Sequence, residues 1–287
     1  MNEATGKPRY ELFERYFVGL LALLIGITVI AVSFMGPLVL GVIQHRTSPS
    51  GVYQIIGQDL ADMLLLGPLC MIGGILFLLE KPQAKYILVL TPVALIYKGL
   101  TYGLGQEYTM YAGNIESFFW YFLAMVIAGL IIGMKSLTLF DKDDAPDLSS
   151  RGTYAFVVVT AALLFMFFMM WAGDTMQVIS TGDTPSGSYS NAPMVFWAIR
   201  YLDLGLTIPL GFVSLYLILT RPKSAYPVIL LFFGFFITLG TAVNAMGWYQ
   251  FLSGDPELQL PALGIFGFLG ALTWAGFIFL VKDKVRA

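Results

Sequence analysis

Charge is what this chain of 287 residues has least of. Asp, Glu, Lys and Arg make up 12% of it, where a water-soluble domain carries about 25%. It has one cysteine, Cys70, and one histidine, His45. A single cysteine excludes a disulfide framework, a CxxC redox pair and a thiolate metal site. A single histidine, in the polar and therefore exposed loop "HRTSPSG", argues against a haem held by two histidines and against a histidine-rich zinc hydrolase. No Walker loop, HExxH, GxSxG or dinucleotide fingerprint is present. There is no basic stripe for nucleic acid. Met166, Met169 and Met170 could be thioether copper ligands, but in an aromatic-rich segment they read as packing. No cofactor and no metal is expected.

What is there is apolar. Hydrophobic residues are 57% of the chain, and the mean hydropathy is +0.78. The runs are long enough to make the chain an all-α, polytopic helical membrane protein. Eight spans are expected, at roughly 17–43, 57–79, 84–105, 115–139, 153–177, 193–219, 224–250 and 258–281, each near the ~20 residues that cross a bilayer. The first run is too long for a signal-peptide core and no cleavage site follows it, so it reads as a retained span.

Basic residues set an orientation. Lys7, Arg9 and Arg15 precede the first span, and Lys81 and Lys85 separate the second and third. Lys135, Lys142 and Arg151 flank the central linker. Arg221 and Lys223 follow the sixth span, and Lys282, Lys284 and Arg286 form the tail. With eight spans all thirteen fall on one side. The expectation is a plasma-membrane protein with both termini cytoplasmic.

The halves echo one another. Asp62, Pro68, Pro82 and Tyr86 match Asp203, Pro209, Pro222 and Tyr226, at an offset of 141 residues for the first two and 140 for the last two. Each half then has four spans and inserts the same way up, a parallel repeat. The expected organisation is a first four-helix repeat over 1–140, a cytoplasmic linker over 141–152 and a second repeat over 153–287.

"QDLADMLLLGPL" with "YKGLTYGLGQEY", and "YLDLGLTIPL" with "RPKSAYPV", resemble the two halves of an uncharacterised group of prokaryotic multi-pass membrane proteins. The resemblance covers about 60–220 and implies a helical membrane protein without assigning an activity. It draws attention to Gln58, Asp59, Tyr97, Tyr102 and Asp203.

Charges inside the spans cost about 2.5–3.5 kcal/mol each on insertion scales, so each needs a partner or water. Asp59 and Asp62 fall in the first turns of the second span, and Lys98 at comparable depth in the third. Arg200 and Asp203 lie about 10 and 15 Å into the sixth, three apart on one face. Asn244 is in the outer part of the seventh. One acid–base pair per repeat is expected, Asp62 with Lys98 and Asp203 with Arg200. With Asp59, Tyr102 and Asn244 these are the candidate ligand-binding residues of an outward-facing polar pocket. A structural reading stands beside this one. Asp59 and Asp62 would cap a helix N-terminus, and Lys98 and Arg200 would snorkel. Glu107, Glu116 and Asp174 read as solvated loop ends. Trp120, Trp171, Trp197 and Trp248 read as interface anchors, and Gly129, Gly133 and the glycines of "GIFGFLGALTWAG" as close packing.

The inner halves of the spans are almost free of charge, which favours binding or sensing over complete transport. The expected function is binding of a small solute or lipid headgroup, with the bilayer and a membrane protein partner as further contacts. The alternative is an accessory subunit without its own activity. A weaker one is a lipid-acting enzyme using Asp59, Asp62 or Asp203 as acid or base.

Overall fold

A computed structural model describes residues 11–148 and 150–281. Lys7, Arg9, Lys282, Lys284 and Arg286 lie outside the described residues. Eight helices are long and apolar enough to cross a membrane: α1 (Leu12–Met35), α2 (Pro49–Leu78), α3 (Ala84–Leu104), α4 (Ile115–Leu137), α5 (Arg151–Thr181), α6 (Pro193–Thr220), α7 (Tyr226–Leu252) and α8 (Leu260–Val281). No strand occurs among the described residues. The chain is an all-helical multi-pass membrane protein.

Two boundaries differ most from the sequence reading. The first helix stops at Met35 instead of continuing to 43. Gly36 is extended, with φ −69° and ψ −176°, as expected of a residue before proline. The second helix starts eight residues early, at Pro49, with Ser48 accepting a hydrogen bond from the amide of Gly51. Proline at the first helical position loses no bond that the helix would have made. "HRTSPSG" is therefore half loop and half helix start.

Two helices carry the same local distortion. Asp62–Leu66 in α2 and Asp203–Thr207 in α6 are single π turns. The amide of Gly67 reaches back five residues to the carbonyl of Asp62, and that of Ile208 to the carbonyl of Asp203. A proline follows each, Pro68 and Pro209. Proline has no N–H and its ring crowds the carbonyl four residues back, and the wider turn relieves that crowding. π turns of this kind are frequent at functional sites.

Packing is pairwise. Helix α1 lies on α2 and α5 on α6; α3 lies on α4 and α7 on α8; α1 meets α4 and α5 meets α8. Between these groups α2 packs against α7, and α3 against α6. Glycine permits the closest contacts. A Cβ on Gly26 would stand 2.7 Å from the carbonyl of Gly67, and one on Gly74 would stand 2.6 Å from that of Gly19. A Cβ on Gly57 would strike the backbone of Met246, so α2 and α7 meet there nearly backbone to backbone. Gly129 packs close to the Pro92 carbonyl, as its spacing indicated, but Gly264 in α8 has no neighbour that a Cβ would meet.

The basic end is tied by ion pairs. Arg15 pairs with Glu80, Lys135 with Glu14 at 2.5 Å and Lys85 with Asp144 at 2.5 Å. The Lys85 ammonium holds Asp144, in the linker, below the usual carboxylate range despite its partial burial. The ring of Phe140, just before the linker, is flanked edge-on by Tyr86 and Tyr226, with centroids at 5.4 and 5.7 Å.

Candidate functional site

The π turn of α6 places Asp203 in the interior. Its carboxylate has three neutral donors from three helices. Trp171 Nε1 on α5 donates to Oδ2 at 2.6 Å; Tyr97 OH on α3 and Thr207 Oγ1 on α6 donate to Oδ1 at 3.1 and 3.0 Å. Asp203 is 4% exposed. Arg200 is not its partner, contrary to the spacing argument. The Arg200 guanidinium pairs with Asp174 of α5 at 2.7 Å and lies over the rings of Trp171 and Phe196, 4.1 and 3.8 Å from their centroids. Trp171 accounts for the difference, because it stacks on the guanidinium and donates to the carboxylate. Asp174 is therefore an ion-pair member, not a solvated loop end, and Trp171 is an interior donor, not an interface anchor. Trp120, 74% exposed, and Trp248, 54% exposed, do face outward.

The π turn of α2 places Asp62 beside Lys98, and these two pair as expected. Gln58 Nε2, one turn earlier, donates to both Asp62 oxygens at 3.0 Å. The Lys98 ammonium also donates to Ser33 Oγ at 3.1 Å, lies 3.9 Å from Asp59 Oδ1 and sits 4.6 Å from the Tyr102 ring centroid. Lys98 is 2% exposed, so it does not snorkel. Asp59 and Asp62 do not cap a helix either. With α2 beginning at Pro49 they lie about 15 and 20 Å along it, beyond the first turn where the helix dipole acts. Asp59 Oδ2 has no hydrogen-bond partner and presses on Gly36, where a Cβ would collide with it.

Between these clusters lies a cavity of about 290 Å³, bounded by α2 and α3 on one side and α5 to α8 on the other. Arg200, Asp203 and Tyr102 line it, and so do Gln58, Gln54 and Tyr97. Phe167, Trp171, Phe236 and Phe266 supply aromatic wall. Asp59, Asp62 and Lys98 are not in the lining; Gln58 stands between the Asp62 carboxylate and the cavity. Asn244 does not line it. Its amide donates to the carbonyls of Gly240 and Phe266 at 2.7 and 3.0 Å and fastens α7 to α8. Of the seven sequence candidates, three therefore face the cavity, three form a buried cluster behind it and one is a helix clamp.

At the end away from the basic residues, loops reach the cavity through Ser48, Gln106, Ser188 and Glu257. Asp255 accepts from Ser50 Oγ at 2.6 Å and from Gln250 Nε2 at 2.8 Å, and Glu257 accepts from Asn191 at 2.9 Å. Burial pushes the Glu257 carboxyl above its ordinary range. Glu107 is buried and accepts from the amide of Val195 at 2.9 Å, and Glu116 pairs with Arg46 at 2.5 Å. Glu107 is therefore not a solvated charge, whereas Glu116 is exposed as expected, though paired. His45, read as exposed, is buried edge-on against Tyr102, centroids 4.8 Å apart. Burial and the nearby Lys98 push its pKa down to about 3, so it is neutral at physiological pH. Tyr102 OH and Arg200 Nε have no hydrogen-bond partner. Among the described residues, no three His, Cys, Asp or Glu side chains gather as a metal-ligand set.

Gln58 and Tyr97 were visible only through the resemblance. Trp171, Asp174 and Thr207 were not identified as site residues, and only the i+4 spacing of Thr207 from Asp203 could have signalled one of them. No protein-family model, no curated protein and no solved structure matches the chain, which leaves the resemblance to the prokaryotic group without a matching family.

Proposed function

We propose that this protein binds a small amphipathic solute within the membrane, in the cavity between α2–α3 and α5–α8. The observation that carries this reading is the pairing of a partly open cavity with costly groups in its wall. Arg200 and Asp203 are buried deep in a span, yet beside their side-chain partners both also border the cavity. A purely structural ion pair needs no such space. Aromatic surface with a few convergent polar groups is the usual make-up of a ligand site.

The architecture we infer is two parallel repeats, 1–140 and 153–287, joined by a linker over 141–152. Three observations support it. The π turns at Asp62 and Asp203 sit at matched positions, the helix contacts come in matched pairs, and the matched residues Tyr86 and Tyr226 flank Phe140. Lysine and arginine bias supports a cytoplasmic basic end in a plasma membrane, so that the cavity faces outward. Binding fits better than complete transport. Toward the basic end the cavity is closed by Thr207, Phe236 and Leu269, with no intramembrane charge beyond them.

The test is chemical extraction of the purified protein in nanodiscs. A small molecule should be retained in near-stoichiometric amount and lost from Ala262→Trp, which fills the cavity from α8. If nothing is retained at any ligand supply, or if the Trp variant keeps the molecule, the reading fails. A co-purifying membrane protein in place of a small molecule would favour an accessory subunit.

A further inference from the structure

The charges lining the cavity do not balance. Arg200 is already matched by Asp174 at 2.7 Å. Asp203 and Glu257 line the same cavity, and among the described residues no Lys or Arg nitrogen lies within 4 Å of either carboxylate. The donors that hold Asp203 are neutral, so they stabilise its charge without cancelling it. The donors to Glu257, the Asn191 amide and the Ser50 hydroxyl, are neutral too. Away from water, the Asp203 carboxylate calls for a positive counter-charge, and Glu257 at the rim adds negative charge to the same cavity. The wall around them is aromatic, and ring faces attract cations.

We propose that the cavity takes an organic ammonium ion with a small apolar body. Its nitrogen sits beside Asp203, and its body lies against Phe167, Phe236 and Phe266. This rests on the reading of the cavity as a binding site. Arg200 is the argument against it, since a guanidinium attracts anions. An anion could reach the free Nε of Arg200, but the guanidinium charge is already matched by Asp174, so a bound anion would add an unmatched negative charge beside Asp203. Two aromatic rings, Trp171 and Phe196, also lie against the guanidinium. The volume suits the class. At about 290 Å³ it is roughly twice the ~150 Å³ cavity known to hold benzene, which leaves room for a ring and a short charged arm.

Three probes with nearly the same body separate the possibilities: 2-phenylethylammonium, 3-phenylpropionate and 2-phenylethanol. Each is titrated against the full chain in zwitterionic nanodiscs at pH 7, with intrinsic tryptophan fluorescence as the readout because Trp171 borders the site. The ammonium should bind saturably and about tenfold or more tightly than either analogue, the scale set by one desolvated charge contact. Asp203→Asn should weaken the ammonium by about tenfold or more and leave the alcohol within about threefold. Glu257→Gln, at the rim and outside the spans, gives a second reading if Asp203→Asn fails to fold, and should weaken the ammonium alone. Binding of the propionate equal to or tighter than the ammonium overturns the inference and makes Arg200 the receptor, while the cavity remains a binding site. Equal binding of the alcohol also overturns it, because charge then does not select. If none of the three saturates, the inference and the binding-site reading fall together.

Discussion

Lys98→Met removes one charge from the most tightly knit cluster in the membrane while keeping most of the side-chain length. The wild-type ammonium pairs with Asp62, donates to Ser33 at 3.1 Å, lies 3.9 Å from Asp59 and sits over Tyr102. Without it, two carboxylates remain buried together, with Gln58 as the main donor to Asp62. Breaking a buried pair by removing one partner costs about 3–5 kcal/mol. A ceiling follows from proton uptake, since neutralising an ordinary carboxylate at pH 7 costs about 4 kcal/mol. The expected loss is therefore ~3–4 kcal/mol, or roughly 6–16 °C in Tm at the ~2–4 °C per kcal/mol of a large domain. The double variant Lys98→Met/Asp62→Leu should recover about half of that or more, because an apolar replacement of the whole pair is often near neutral. Thermal unfolding in nanodiscs at one pH measures all three proteins. If Lys98→Met shifts Tm by less than about 2 °C, the cluster is hydrated and the burial argument is wrong. If the double variant is worse than both single variants, the pair contributes more than its own compensation.

Other outcomes follow from single contacts. Tyr97→Phe removes a donor to the Asp203 carboxylate and should cost about 1.5–3 kcal/mol in thermal or denaturant unfolding. Gly57→Ala would press a Cβ into the backbone of Met246 and should cost ~1–3 kcal/mol as overpacking, whereas Gly264→Ala, with open space around it, should change Tm by less than about 2 °C. His45 has a folded-state pKa of about 3 against an ordinary 6.5. Below pH 6.5 the unfolded chain binds a proton that the folded chain refuses, so stability falls as pH drops from about 6.5 toward 3, by up to ~1.4 kcal/mol per pH unit. His45→Asn should flatten that stretch of a Tm-against-pH curve while leaving the curve above pH 7 unchanged in slope.

The eight helices were legible because a bilayer demands about twenty apolar residues at each crossing, and loops such as "DKDDAPDLSSRG" break that pattern openly. The ends of α1 and α2 were less so. Apolar residues continue past Gly36–Pro37, and hydropathy does not register that a proline stops a helix. The Asp62–Lys98 pair could be anticipated because matched depth in consecutive spans brings residues together. The Arg200–Asp203 pairing failed for a related reason. Three residues of separation puts two side chains on one face, but it is silent about what a neighbouring helix inserts between them, here Trp171 and Asp174. The intramembrane charges led to the expectation of a polar pocket, but its walls were not legible, because they are set by how α2 and α3 meet α5 to α8. Depth could have been read better for Asp59 and Asp62 had Ser48–Pro49 been recognised as a helix start, which moves both from the membrane surface to its interior.

The measurement that bears most directly on this account is an experimental structure of the protein in nanodiscs at a resolution that shows ordered water. Non-protein density, a bound solute or a chain of waters, should fill the space bordered by Gln58, Tyr97, Arg200 and Asp203. A collapsed, dry contact there, with Asp203 still held by Trp171, Tyr97 and Thr207 and nothing beside it, would contradict the account and reduce both intramembrane clusters to scaffolding.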